Sequence, residues 1–185
     1  MAVFATPHLR LHLGCGSSRI AGWVNIDNEA DLAPDLVADV RQLPYEDDSV
    51  EQIAAFHVLE HFRYDEPVLE EWHRVLVPGG ECTVVVPDPM GAYLLWRRGG
   101  VFGQPQQYPI DLDYMMAVFF GGPALAHKFH GFDADEQAHR QVFLFDMLVE
   151  RMRPLFPDAA QAPGGGPATQ CGMASICVVG HKAGV

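Results

Sequence analysis

Short apolar runs rich in β-branched residues recur along the chain, separated by turns or by stretches of helical periodicity. Leu9 to Leu13, Trp23 to Ile26, Leu36 to Ala38, Gln52 to Phe56 and Cys82 to Val86 read as strands. The continuous apolarity of Val84-Val85-Val86 suits a strand covered on both faces, as in a parallel sheet. Between the last two runs the period changes. Val68, Leu69, Trp72, Val75 and Leu76 share one helical face, with Glu70, Glu71 and Arg74 on the other. This predicts a helix over Asp65 to Val77, capped by Asp65 and stopped by Pro78-Gly79-Gly80. Strand, helix and strand then make a βαβ unit of an α/β fold.

The pattern changes again after Asp88. From Asp88 to Phe132 aromatic and Met residues are broken by Gly and Pro pairs, which reads as an inserted lid carrying one or two short helices. A second helix is expected next. Asp133 and Glu136 give it a start signal, and Ala138, Val142, Phe145, Val149 and Met152 form its buried stripe. Pro154 ends it, Pro157 to Ala168 reads as a surface loop, and Ser175 to Val179 as a last short strand. The chain therefore divides as one domain over 1–185, with a core at 9–88, a lid at 89–132 and a C-terminal helix and strand at 133–185.

Composition narrows this picture. A chain of 185 residues with 49% hydrophobic and 19% charged residues has the balance of one globular domain. Its formal net charge of -12 argues against a nucleic-acid partner, which needs clustered Lys and Arg. No apolar stretch is long enough to span a bilayer, and no signal peptide is recognisable. Cys15, Cys82, Cys171 and Cys177 show no paired spacing, so reduced thiols and a cytoplasmic location are expected. Oligomeric state is not legible.

Chemistry gathers where strands end. Leu11-His12-Leu13-Gly14-Cys15-Gly16 is a strand running into a Gly-x-Gly turn, where small residues let the backbone approach a ligand. Ligands of open α/β sheets bind at strand C-terminal ends. Asp27 closes the second strand, and a carboxylate there can accept both hydroxyls of a ribose. Asp39 closes the third, where it can take an exocyclic adenine amine while the Val40 amide faces a ring nitrogen. Either acid alone is a turn residue. The NAD fingerprint fits poorly, because Arg19 stands where its last glycine belongs.

Leu13-Gly14-Cys15-Gly16, Gly22-Trp23-Val24-Asn25-Ile26-Asp27, Ala38-Asp39-Val40, His57-Val58-Leu59-Glu60-His61 and Arg74 through Gly80 occur in one order. As an ordered set over Leu9 to Asp88, they resemble the class I methyltransferases, and within them the small "type 11" group. The resemblance implies a Rossmann-like, mostly parallel seven-stranded sheet with one antiparallel strand and helices on both faces. It also implies S-adenosylmethionine held by Leu13, Gly14, Cys15, Gly16, Asp27, Asn28, Asp39, Val40 and His57. Two departures stand out. The span from Gly16 to Asp27 is too short for a full helix plus a strand, so the first helix must shrink to a turn. The C-terminal region is abbreviated, which leaves the sixth strand open.

His57-Val58-Leu59-Glu60-His61 also spells the H-x-x-E-H string of some zinc proteases. That string needs both His on one helix face, whereas here it follows a buried strand. Some O-methyltransferases hold a divalent ion with Glu-His at this spacing, and metal-free relatives carry the same pair. A metal at His57, Glu60 and His61 is left open. The reading that follows is methyl transfer from S-adenosylmethionine to a small-molecule acceptor, at a hydroxyl, with no nucleic acid or membrane partner. His57 is the first candidate base and His127, from the lid, the second. The alternative is a non-catalytic S-adenosylmethionine-binding sensor or scaffold.

Overall fold

The computed structural model describes residues 9–97, 138–162 and 175–184. Among them, seven strands form one sheet in the order β3-β2-β1-β4-β5-β7-β6. The strands are β1 (Arg10–Leu13), β2 (Val24–Asp27), β3 (Leu36–Val37), β4 (Val50–Phe56), β5 (Leu76–Pro87), β6 (Ala160–Gln161) and β7 (Ser175–His181). Strands β1 to β5 pair in parallel, and β7 runs antiparallel to both β5 and β6. The sixth strand is therefore a two-residue edge. Chain order reverses between β1 and β4, which opens a crevice at their C-terminal ends.

Among the described residues the α-helices are α1 (Val68–Val75), α2 (Pro89–Arg97) and α3 (Phe145–Met152). The expected apolar face of α1 is in place, with Val68, Leu69, Trp72 and Val75 buried. Trp72 is fully buried, and its indole N–H donates to the Val40 carbonyl at 3.0 Å. The loop after β3 is thereby fixed to α1. Glu71 and Arg74 hold the same loop from the other side: the Glu71 carboxylate accepts the Leu43 amide, and Arg74 donates to the Leu43 and Tyr45 carbonyls.

Four expectations need correction. Asp65 does not cap α1; it is exposed beside Arg63, and Pro67 precedes the first helical residue. Pro78-Gly79-Gly80 does not merely stop a helix, because β5 has already begun at Leu76. The strand shifts register against β4 across this stretch, and Gly79 supplies the positive φ of +80° that the excursion needs. Of the helix expected from Asp133, residues 138–144 are not helical and the helix runs over Phe145–Met152. In it Leu148, Val149 and Met152 are buried, whereas Phe145, and Val142 ahead of it, are exposed by more than a third. Lastly, the stretch read as a surface loop carries β6, with Ala159 and Ala162 buried beside it.

The first helix is indeed replaced by turns, and side chains take over its fastening role. The buried Asn25 amide group donates to the carbonyls of Ile20 and Trp23 and to the Asp35 carboxylate, and its oxygen accepts the Ile20 amide. Arg19 reaches the Leu32 and Ala33 carbonyls and lies 3.5 Å from Asp35. Of the lid, α2 is described; the rest, with His127, lies outside the described residues, as does Asp133. No helix among the described residues is long and apolar enough to cross a membrane.

Candidate functional site

Gly14 and Gly16 both hold left-handed φ, +61° and +53°, which turns the chain sharply out of β1. A Cβ on Gly14 would stand 2.3 Å from the Val58 side chain, so only glycine fits. At Gly16 there is open space, and the requirement is conformational alone. The Gly16 amide donates to Asp27 Oδ2 at 2.8 Å, and the Glu29 amide to Oδ1 at 3.0 Å. Asp27 is buried, and two backbone donors fix its carboxylate plane. Each oxygen keeps acceptor capacity for a hydroxyl.

These residues line a cavity of about 1090 Å³ at the C-terminal edge of the sheet, together with Asn28, Asp39, Val40, Arg41, His57, His61, Arg140 and Gln141. Ligand pockets commonly run roughly 300–1,000 Å³, so the cavity has the room that a cofactor-sized ligand needs. Leu13 and Cys15, also expected at the cofactor, are not part of the lining. Leu13 points into the core, and Cys15 is a buried thiol raised in pKa mainly by burial. They contribute backbone only: the Cys15 amide donates to the Ile26 carbonyl, which closes the turn over β2.

Asp39 stands at the expected place, but its carboxylate is occupied. Arg41 donates to it through Nε, a terminal nitrogen and the backbone amide at 2.8–3.1 Å. Those side-chain bonds hold the Asp39 carboxyl below the usual range. Arg41 also donates to Glu66, which makes a clasp across the cavity rim. An adenine amine must share Asp39 with this guanidinium or displace it. Sequence reasoning missed Arg41, whose position two residues after an acid was the available signal.

His57 follows β4 in left-handed backbone, φ +56°, a conformation uncommon for a non-glycine residue. Its amide donates to the Val85 carbonyl, its Nε2 lies 3.2 Å from Ser175 Oγ, and its Nδ1 lies 3.3 Å from Glu60 Oε1. The protease-like helix is absent here: a single 3₁₀ turn over Leu59–His61 follows instead. Glu60 is 1% exposed, and neither carboxylate oxygen has a hydrogen-bond donor among the described residues. The segment from 138 to 141 closes over this turn, with the Arg140 and Gln141 amides donating to the Glu60 carbonyl at 2.7 and 3.1 Å. His139 is thereby brought against His61, ring centroids 5.2 Å apart. No sequence feature suggested that pairing, because this stretch carried helical periodicity.

Strand order, the turn after β1 and the acid ending β2 are those of the class I S-adenosylmethionine-dependent methyltransferase fold. Residues 11–84 match the family described as "Methyltransferase domain". Methyltransferase GfsG of Streptomyces halstedii is 30% identical over 102 residues, covering 42% of this chain and 37% of the relative. The matched region thus spans little more than a third of that curated protein. A methyltransferase structure from Methanosarcina mazei superposes with a TM-score of 0.58 at 17% identity, covering 98% of this chain and 96% of the other. The Burkholderia thailandensis 1,6-didemethyltoxoflavin-N1-methyltransferase, solved with its substrate and S-adenosylhomocysteine, gives 0.55 at 15% identity, covering 96% and 72%. At these identities the structural likeness speaks for the fold. S-adenosylmethionine is the cofactor of the class, and the side-chain-free turn at Gly14 and the oriented Asp27 carboxylate suit its adenosyl end.

Proposed function

We propose that this domain transfers the methyl group of S-adenosylmethionine to an oxygen of a small-molecule acceptor. The observation that carries the proposal is one cavity lined by both parts of such a site, Gly14, Gly16 and Asp27 on one side and His57 and His61 beside them. The cofactor supplies an electrophilic methyl on a sulfonium sulfur. Asp27 binds the ribose hydroxyls, and the Gly14–Gly16 backbone shapes the turn against which the remainder lies. Asn28, Asp39 and Val40 border the adenine end, Asp39 once Arg41 shares it. The bond from sulfur to methyl breaks as the bond from acceptor oxygen to methyl forms, and the hydroxyl proton leaves to a base.

His57 is that base on this reading, held between Glu60 and Ser175 so that its ring orientation is set before substrate arrives. His127 from the lid remains the second candidate. Alignment of the reacting atoms supplies most of the acceleration. The test is a screen of hydroxylated small molecules with methyl-labelled cofactor, read as label on the acceptor and S-adenosylhomocysteine in equal amounts. Cofactor binding without turnover on any acceptor would instead favour the sensor or scaffold reading.

A further inference from the structure

Glu60, His61 and His139 each offer one ligand atom, and these atoms lie within 4.8 Å of one another. Three features separate this cluster from an ordinary polar surface. The Glu60 carboxylate is buried and accepts no hydrogen bond among the described residues; His57 Nδ1 lies 3.3 Å from Oε1, while Oε2 has no such neighbour, an arrangement that costs several kcal/mol for an ionised group unless a positive charge compensates it. The Nδ1 atom of His61 is also buried without a hydrogen bond. And the two chain segments are stapled together, by the Arg140 and Gln141 amides on the Glu60 carbonyl and by the Gln141 side chain on the Phe62 carbonyl. The staple holds His139 against the Glu60–His61 turn.

From this geometry we infer a binding site for one divalent transition-metal ion, with Glu60, His61 and His139 as its protein ligands. Two imidazoles and one carboxylate select Zn²⁺, Co²⁺, Mn²⁺ or Fe²⁺ over Mg²⁺ and Ca²⁺, which prefer all-oxygen surroundings. Ligands of one such ion stand roughly 3–3.5 Å apart at bond lengths near 2.1 Å, so small side-chain rotations close the set. Three protein ligands leave coordination positions open. His61, Arg140 and Gln141 line the cavity, so an open position there can take an oxygen of the acceptor. That use of the metal rests on the methyl-transfer reading; the site itself does not.

The test uses the full chain, stripped with a chelator and desalted. Titration with Co²⁺ and Zn²⁺, followed by calorimetry and by the visible absorption of bound Co²⁺, is expected to give one equivalent per chain. Glu60→Gln and His139→Ala are each expected to weaken binding at least tenfold. His139 is only partly buried, so its variant stays informative if Glu60→Gln does not fold. Wild-type protein that takes up no stoichiometric metal, or a folded His139→Ala that binds as wild type does, overturns the assignment. Metal uptake in a protein that transfers no methyl group upholds the site and counts against the catalytic reading alone.

Discussion

The loop system around β2 and the turn after β4 handle their acids in opposite ways. Around β2 the polar groups are paired: Asp27 accepts two backbone amides, the exposed Asp39 is bonded by Arg41, and Asn25 uses both donor and acceptor atoms. In the turn after β4, Glu60 is buried as deeply and accepts no hydrogen bond among the described residues; His57, whose Nδ1 lies 3.3 Å from its Oε1, adopts a left-handed backbone. A saturated network fixes a shape. An unsatisfied one keeps binding capacity in reserve, and costs stability when nothing uses it.

The contrast can be broken most severely at His57. If the turn after β4 is where protons move, His57→Asn should lower methyl transfer about 10²–10⁴-fold while leaving cofactor affinity within a few-fold. Asn tolerates left-handed backbone, so the turn should survive the change. Single-turnover kinetics beside calorimetry checks this, and parallel losses in both would assign His57 to the fold.

The next largest effect belongs to the glycine turn. Gly14→Ala places a methyl group against Val58 in a left-handed residue, which should cost about 2–4 kcal/mol of stability. Gly16→Ala meets open space and should cost about 1–2 kcal/mol, from backbone strain alone. Denaturant titration of both variants reads the difference, and equal costs would mean the Val58 contact yields freely.

Removing an acid from each region sharpens the comparison further. Asp27→Ala should weaken S-adenosylmethionine binding by about 1.5–3 kcal/mol and also destabilise the metal-free fold, since it leaves two amides without their acceptor. Glu60→Gln should do the reverse to the metal-free protein, leaving it as stable as wild type or more so, if the His57 contact at 3.3 Å does not offset the burial of the carboxylate. A Glu60→Gln variant that unfolds more readily in metal-free buffer would show that His57 already neutralises the carboxylate.

The smallest effect is on acid stability. Hydrogen bonds from Asn25, Arg63 and Arg74 hold Asp35, Glu66 and Glu71 respectively below their ordinary carboxylate range. Such groups bind fewer protons folded than unfolded, so their contribution is present above about pH 4 and is lost as pH falls below it. Glu71→Gln should flatten that acid limb modestly in thermal melts taken at successive pH values.

How much of this was legible in the sequence follows the same division. Strands β1 to β4 lie within a residue or two of their apolar runs, because burial on one or both faces writes a plain pattern. The Gly14–Gly16 turn and Asp27 were legible because backbone geometry and strand ends restrict residue type. What the pattern hid was tertiary. Residues 138–144 carry helical spacing, yet the amides of Arg140 and Gln141 are spent on the Glu60 carbonyl, far away in sequence. The role of Asn25 as a fastener was masked by its place within a strand, and the Asp39–Arg41 pairing by the expectation of a ligand there. β5 began early because Pro78-Gly79-Gly80 interrupts its register without ending it.

The antiparallel strand has a consequence for assembly of the fold. β5 pairs with β7 along seven residue pairs, and the chain between them includes α2, α3 and β6. During synthesis the edge of β5, rich in fully buried valines, must therefore wait for a distant partner. Lys182, just beyond β7, then bonds Asp48 and the carbonyls of His73 and Leu76, locking the newly seated strand to the half made first. Closure over so long a loop is slow, and an exposed apolar edge pairs with other chains in the interval. Arrival of β7 is thus the step at which crowding and temperature decide between a soluble molecule and an aggregate.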